Sequence, residues 1–197
     1  SSYRNVNLTR AHGGVHVELA GPKETVRVEV AELEHRGKLA RTAFTVDLAS
    51  GTVNFDGMSE IYVPSLFQMI GVFTNECHRY FRFDGPVKIA ASGTVDYRGM
   101  TNTSFKGVVE TRQMALSQFL TEQCSFMMTV NGMTATVTDV TGKIYGGTFS
   151  GTTTLILPSD PASNISYSVN AAVEGVDFSE LASVTLHESD KVKYAGR

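Results

Sequence analysis

Apolar and polar residues alternate along most of the chain with a period of two. Val15, Val17 and Leu19 alternate with His16 and Glu18, and Val26, Val28 and Val30 with Arg27 and Glu29. Phe44, Val46 and Leu48 share one face of residues 39–48, and Val53 and Phe55 one face of residues 52–56. This is the pattern of strands with one buried face, because successive side chains of an extended chain point to opposite sides. Between these runs lie clusters of turn formers: His12-Gly13-Gly14, Gly21-Pro22-Lys23-Glu24, His35-Arg36-Gly37 and Ala49-Ser50-Gly51. The first 56 residues therefore predict an antiparallel meander of about four strands.

The period then changes. After Val63-Pro64-Ser65, residues Leu66, Met69, Ile70, Phe73 and Cys77 recur at helical spacing, with Pro64 at a first helical position where its missing N–H costs nothing. The spacing predicts a core helix over 64–77 that lies against a sheet. Gly71 inside it costs about 1 kcal/mol against alanine, so a kink or an early end is expected there. Period two then returns. Val87, Ile89, Ala91, Gly93, Val95 and Tyr97 form one face of a long strand, and Phe105, Gly107, Val109 and Thr111 one face of its return. Residues 112–123 fit neither period. Phe126, Met128 and Val130, then Met133, Ala135 and Val137, flank Asn131-Gly132, a favoured pair for a two-residue hairpin turn.

The rest of the chain is organised around residues 141–157. Phe149, Gly151, Thr153, Leu155 and Leu157 fall on one face, and Ser150, Thr152, Thr154 and Ile156 on the other. Residues 141–157 read as a strand, a glycine-hinged bend at Gly146-Gly147 and a second strand, and the glycine pair predicts a bulge, a sharp bend or a close backbone approach. After a turn-rich link over 158–164, Ile165, Tyr167, Val169, Ala171 and Val173 alternate with Ser166, Ser168, Asn170, Ala172 and Glu174. Asp177, with Glu180 three positions on, reads as the N-cap and reciprocal acceptor of a short helix. One side of that helix carries Phe178, Leu181, Ala182 and Thr185. The expected fold is mainly β with one or two short helices (α+β): a long curved antiparallel sheet, forming an open groove or half-barrel packed on a helix. It is read as a single β-rich region over 1–197. Its two sub-units, 1–83 and 84–197, are each a strand meander with a helix.

Composition narrows the function classes. Hydrophobic content of 42% against 19% charged excludes disorder. A net charge of −3 with no lysine or arginine run lacks the electrostatic footprint of a nucleic-acid binder. Lys191, Lys193 and Arg197 read as a solvated tail. No apolar run approaches the ~18–20 residues of a membrane span, and no signal-peptide pattern stands at the start. The opening Ser1-Ser2-Tyr3 lacks methionine and reads as the start of a trimmed piece. Cys77 and Cys124 read as small buried apolar residues, with a disulfide as the alternative in an oxidising compartment.

Candidate chemistry is sparse. The histidines, His12, His16, His35, His78 and His187, are scattered, four of them in turns, helix ends or exposed strand positions. Glu76-Cys77-His78 has no second close pair and matches no zinc spacing. No G-x-S-x-G elbow exists. The glycines at 142, 146, 147 and 151 lie between strands and make no nucleotide-binding fingerprint. Neither catalytic residues, nor a metal site, nor a cofactor is predicted, and an enzyme is the class the residues support least. Asn7-Leu8-Thr9, Asn102-Thr103-Ser104 and Asn164-Ile165-Ser166 match the glycosylation sequon, which matters only in a eukaryotic secretory setting.

Three stretches, in this order and spacing, carry a resemblance. Lys143-Ile144-Tyr145-Gly146-Gly147-Thr148-Phe149-Ser150-Gly151 has the form apolar, tyrosine, glycine-glycine, x, apolar, x, glycine. Residues 167–181 form a strand ending in Gly175-Val176-Asp177-Phe178 ahead of a helix. Val63-Pro64-Ser65-Leu66, then Phe81-Arg82-Phe83, Pro86 and Gly93-Thr94-Val95-Asp96-Tyr97 form a helix followed by a glycine-bearing strand. Together, over about residues 60–182, they resemble the C-terminal region of the bacterial AsmA-like envelope proteins. Phe178 stands where that family usually has leucine, and the first sixty residues match only in style.

The resemblance implies an elongated, curved β-sheet with an apolar concave face, related to the bridge-like lipid-transfer proteins. It implies a fragment of a larger protein anchored in the inner membrane, with its body on the periplasmic face, that serves outer-membrane biogenesis or phospholipid traffic without catalysis. Tyr145, Gly146, Gly147, Gly151, Gly175 and Asp177 would be the family's structural positions. Phe149, Leu155, Leu157, Tyr167, Val169 and Val173 would line a lipid groove. Other readings stand beside this one. The helix over 64–77 would fill the concavity and make these residues core, since monomers rarely leave large apolar patches bare. A closed β-barrel or sandwich that binds a small apolar ligand or glycan would use similar strands. A ligand-free envelope scaffold would look the same.

Overall fold

The computed structural model describes residues 2–3, 6–7, 9–18, 25–63, 65, 81–99, 101–116, 119–156 and 166–185. Apart from Ser65, the expected helix over 64–77, with Cys77 in it, lies outside these residues, as does Leu157. The strands are β1 (Ser2–Tyr3), β2 (Val6–Asn7), β3 (Arg10–His12), β4 (Val15–Glu18), β5 (Thr25–His35), β6 (Lys38–Asp47), β7 (Thr52–Ser59) and β8 (Phe81–Phe83). They continue with β9 (Val87–Asp96), β10 (Ser104–Arg112), β11 (Met114–Leu116), β12 (Phe119–Leu120), β13 (Gln123–Asn131), β14 (Thr134–Ile144), β15 (Gly147–Ile156) and β16 (Ser166–Glu174). Helix α1 spans Phe178–Thr185.

One antiparallel sheet dominates, in the order β16-β15-β14-β13-β10-β9-β7-β6-β5-β3, with β4 also on β5. The two ends of this order are different strands, so the sheet does not close into a barrel. That removes the closed-barrel alternative. The sheet runs without a break through the β7–β9 pairing, where Thr52–Ser59 is matched against Asp96–Ile89.

The reason residues 112–123 fit neither period is now visible. At Gln113, with φ 55°, the chain leaves the large sheet. It forms a small sheet, β12-β11-β8, in which Met114 faces Phe83, and returns at Gln123 to pair with Lys143. Phe83 and Met114 pack with Val63, Val87, Val109 and Cys124 as the buried core, and Ile89, Phe126, Val140 and Phe149 pack against it. The core thus sits at one end of the sheet face, under the small sheet.

One local expectation is met and three are corrected. The pair Gly146-Gly147 lies at a bend between two strands, as expected. Tyr145 and Gly146, with φ 47° and 74°, are the central residues of a two-residue hairpin turn closed by the pair Ile144 and Gly147. Two positive φ angles give the turn a twist that matches the flanking strands. In the other hairpin the register pairs Asn131 with Thr134, so the turn is Gly132-Met133 and Asn131 belongs to the strand. In α1, Ala182 is buried but Phe178 is 62% exposed, so the helix does not bury the whole side expected of it. His35, expected in a turn, is buried at the end of β5, with Ser65 Oγ 3.3 Å from its Nε2.

Candidate functional site

Strand register turns the alternation into a surface. Residues that face each other in neighbouring strands share a side of the sheet. Followed pair by pair, one row runs from edge to edge: Val15, Val28, Phe44, Phe55, Gly93, Phe105, Val130, Ala135, Leu155, Tyr167. Ten strands contribute to it, and none contributes a polar side chain other than the hydroxyl of Tyr167. At about 4.8 Å per strand the row is roughly 45 Å long. The next row on the same face, from Thr42 through Gly57, Ala91, Gly107, Met128, Val137 and Thr153 to Val169, holds no charge either.

The opposite face differs in kind. Its corresponding row is His16, Arg27, Thr45, Asn54, Thr94, Ser104, Asn131, Thr134, Ile156 and Ser166. Here Thr94 Oγ1 donates to Asn54 Oδ1 at 2.6 Å, and the facing residues Arg41 and Glu32 form an ion pair at 2.8 Å. The two rows followed on the first face carry no charge from edge to edge, whereas the opposite face is mixed: beside its polar row and ion pair it also holds Met58, Ala90, Val108 and Met127, of which Met58 and Val108 are exposed.

Phe149, Leu155, Tyr167, Val169 and Val173 all lie on the apolar face. Phe149 faces Val173, Leu155 faces Tyr167, and Thr153 faces Val169. Their surroundings differ. Phe149 packs against the core, its ring lying over Gly142, where an added Cβ would stand 2.3 Å from the ring. Leu155 is half-buried. Tyr167, Val169 and Val173, on the edge strand, are 75%, 62% and 53% exposed. At the other edge Val15 and Val17 are also more than half exposed. The face is covered at the core and open at both edges. The N-terminal half of this face is not among the residues the resemblance points to. Its residues, among them Phe44, Phe55 and Phe105, showed the same alternation, but only register joins them into one surface.

The glycine and aspartate positions of the resemblance serve a joint. Gly147 lies directly beneath the backbone of residues 174–176, where a Cβ would stand 2.3 Å from the Glu174 carbonyl oxygen. Gly151 lies under Asn170 O, 2.6 Å from where its Cβ would be. Gly175 turns the chain with φ 66°, and the Asp177 N–H then donates to Tyr145 O at 2.8 Å. The Tyr145 hydroxyl accepts the Leu120 N–H at 3.4 Å. Asp177 caps α1: its Oδ1 accepts the N–H groups of Ser179 and Glu180 at 2.8 and 3.3 Å and the Ser179 hydroxyl at 2.6 Å. This joins the end of β16 and the start of α1 to the β14–β15 turn.

A second joint ties the N-terminal strands to the C-terminal ones. Asp96 Oδ1 accepts the N–H groups of Arg98 and Gly99, and its Oδ2 accepts from Asn102 Nδ2 at 3.0 Å. The sequon at Asn102 thus has its amide nitrogen engaged. Arg98, held in this loop, donates to the carbonyls of Leu48 and Ala49. The Arg98 N–H holds the Asp96 carboxyl below its usual value of 3.8, and the Ser179 hydroxyl does the same for Asp177. A depressed folded pKa contributes stability that is present above the unfolded pKa and lost as pH falls through the folded one. The gap in thermal midpoint between the wild type and Asp177→Ala is therefore expected to be widest above about pH 5 and to close in acid. A gap that stays constant down to pH 2 would refute the assignment.

Cys124 is a free thiol, 1% exposed, and burial pushes its pKa up to about 11. It is a core residue and has no reactive thiolate at neutral pH. Among the described residues no group of three or more His, Cys, Asp or Glu side chains is placed to hold a metal ion, and no helix is long and apolar enough to cross a membrane. No family model, curated protein or solved structure matches the chain.

Proposed function

We propose that the chain is a non-enzymatic lipid-handling part of a bacterial envelope protein of AsmA type, which holds phospholipid acyl chains against its apolar sheet face on the periplasmic side of an inner membrane to which the parent protein is anchored. The observation that carries this reading is the uncharged row of residues running from Val15 to Tyr167, exposed at both ends. Acyl chains need apolar area without directional partners, and a face of this kind offers it, while the hydroxyl of Tyr167 stands where a headgroup would meet water. The order and spacing of the three resembling stretches supply the envelope setting. A ligand-free scaffold is the competing outcome.

The test is native mass spectrometry of the chain isolated from a bacterial envelope fraction, with uptake of a fluorescent phospholipid from vesicles. Phospholipid is expected to be retained near stoichiometrically. Val169→Asp, at a site already open to water, is expected to lower uptake about tenfold, and Leu155→Asp to lower it further, with the far-ultraviolet dichroism of Val169→Asp unchanged. A clean apo mass and no uptake by the wild type would establish the scaffold instead.

A further inference from the structure

Sheet edges are normally kept from pairing by proline, lysine, bulges or short strands. The β3–β4 edge follows this rule, being split into segments of three and four residues that carry Arg10, His12, His16 and Glu18. The β16 edge does not. Its nine residues contain no proline, lysine or arginine, pair with β15 along their whole length without a register shift, and are all exposed. Among the described residues β15 is the only strand β16 pairs with.

The sequence of this edge, Ser-Tyr-Ser-Val-Asn-Ala-Ala-Val-Glu, is complementary to its own reverse about Asn170. We propose that β16 is a homodimer interface, in which two copies of this chain pair antiparallel through β16 with the two-fold axis at Asn170. In that register Tyr167 faces Val173 of the second copy, Val169 faces Ala171, and Asn170 faces its own symmetry mate. Glu174, the one charged residue of the strand, faces the Ser166 hydroxyl, so no like charges oppose each other. The axis stands perpendicular to the sheet, which puts the apolar faces of both copies on the same side. Pairing would give the outward backbone groups of two edges partners at once and set Tyr167 and Val173 side by side across the seam. Slipping by one residue would set Tyr167 opposite Glu174, or Val169 opposite Asn170, and turn the apolar face of one copy to the polar side of the other, which selects the register.

The test leaves the apolar face untouched. In sedimentation equilibrium the wild type is expected to move with concentration between 21.3 kDa and twice that mass. Asn170→Lys and Asn170→Glu each put like charges face to face on the polar side, and each is expected to weaken the dimer by about fivefold or more. Mixed in equal amounts they should pair with each other at least as tightly as the wild type. A single 21.3 kDa species at every concentration would overturn the proposal. So would a dimer indifferent to both substitutions, or a mixture that pairs no better than either variant alone. Lipid uptake by the monomeric variants separates this failure from failure of the lipid reading.

Discussion

Gly93→Ala is expected to lower the free energy of unfolding by about 3–5 kcal/mol, a large part of the 5–15 kcal/mol typical of a folded domain. Two costs add. Gly93 has φ 147°, a backbone conformation that residues with a side chain rarely adopt. A Cβ there would also stand 2.3 Å from Ser104 O and 2.5 Å from Phe105 Cα, which are backbone atoms of the neighbouring strand and cannot rotate aside. The gap is used: Phe55 and Phe105 face Gly93 from either side, and their rings approach to 6.0 Å between centroids at a tilt of 58°. Gly37→Ala is the control. Its φ of 73° carries the conformational cost alone, with nothing within 4 Å of the added methyl, and about 1 kcal/mol is expected. Urea unfolding at neutral pH compares the two. Equal losses would mean that contact between β9 and β10 contributes nothing.

Gly93 also shows what the chain could and could not reveal on its own. Its place in the alternation was readable, because period two follows from strand geometry whatever the neighbours are. Its role between two aromatic rings was not, because that depends on β7 and β10 flanking β9, and β7 is brought there across the long connection that contains Phe81–Phe83. The long strands, the mainly-β class and the Asp177 cap were legible for the same local reason, whereas the open edge-to-edge order of the sheet depends on which strands pair. The bend at Gly146-Gly147 was legible too, but not the division within it, in which Gly146 makes the turn and Gly147 answers to the distant residues 174–176. The excursion through residues 113–122 was illegible for a related cause. Short strands in a side sheet have too few residues to show a period.

The candidate face divides in the same way. Phe149 and Leu155 have the same period-two signature as Tyr167 and Val169, yet Phe149 packs against the core, Leu155 is half-buried and the last two are open. Burial depends on which element lies above a residue, and the small sheet that covers the core end is built from the stretch without a period. Sequence alternation identifies a face. It does not say which part of that face is core and which part is free to bind.

Phe83→Ala separates those two parts by experiment. Phe83 is 8% exposed and joins the small sheet to Val87, Val109 and Cys124, so truncation is expected to cost about 3–5 kcal/mol through lost burial and the cavity left behind. It lies at the covered end of the face, away from Tyr167 and Val169 on the β16 edge. Well below its own unfolding midpoint, Phe83→Ala should therefore take up phospholipid as the wild type does. Val169→Asp should show the reverse, with a stability change within about 0.5 kcal/mol and lipid uptake largely lost. Urea midpoints and vesicle uptake measured on both proteins form a two-by-two comparison. Opposite losses would place the core and the binding reach at different ends of one continuous face. If folded Phe83→Ala loses lipid along with stability, the two are a single cooperative unit, and the exposed edge is not where the acyl chains lie.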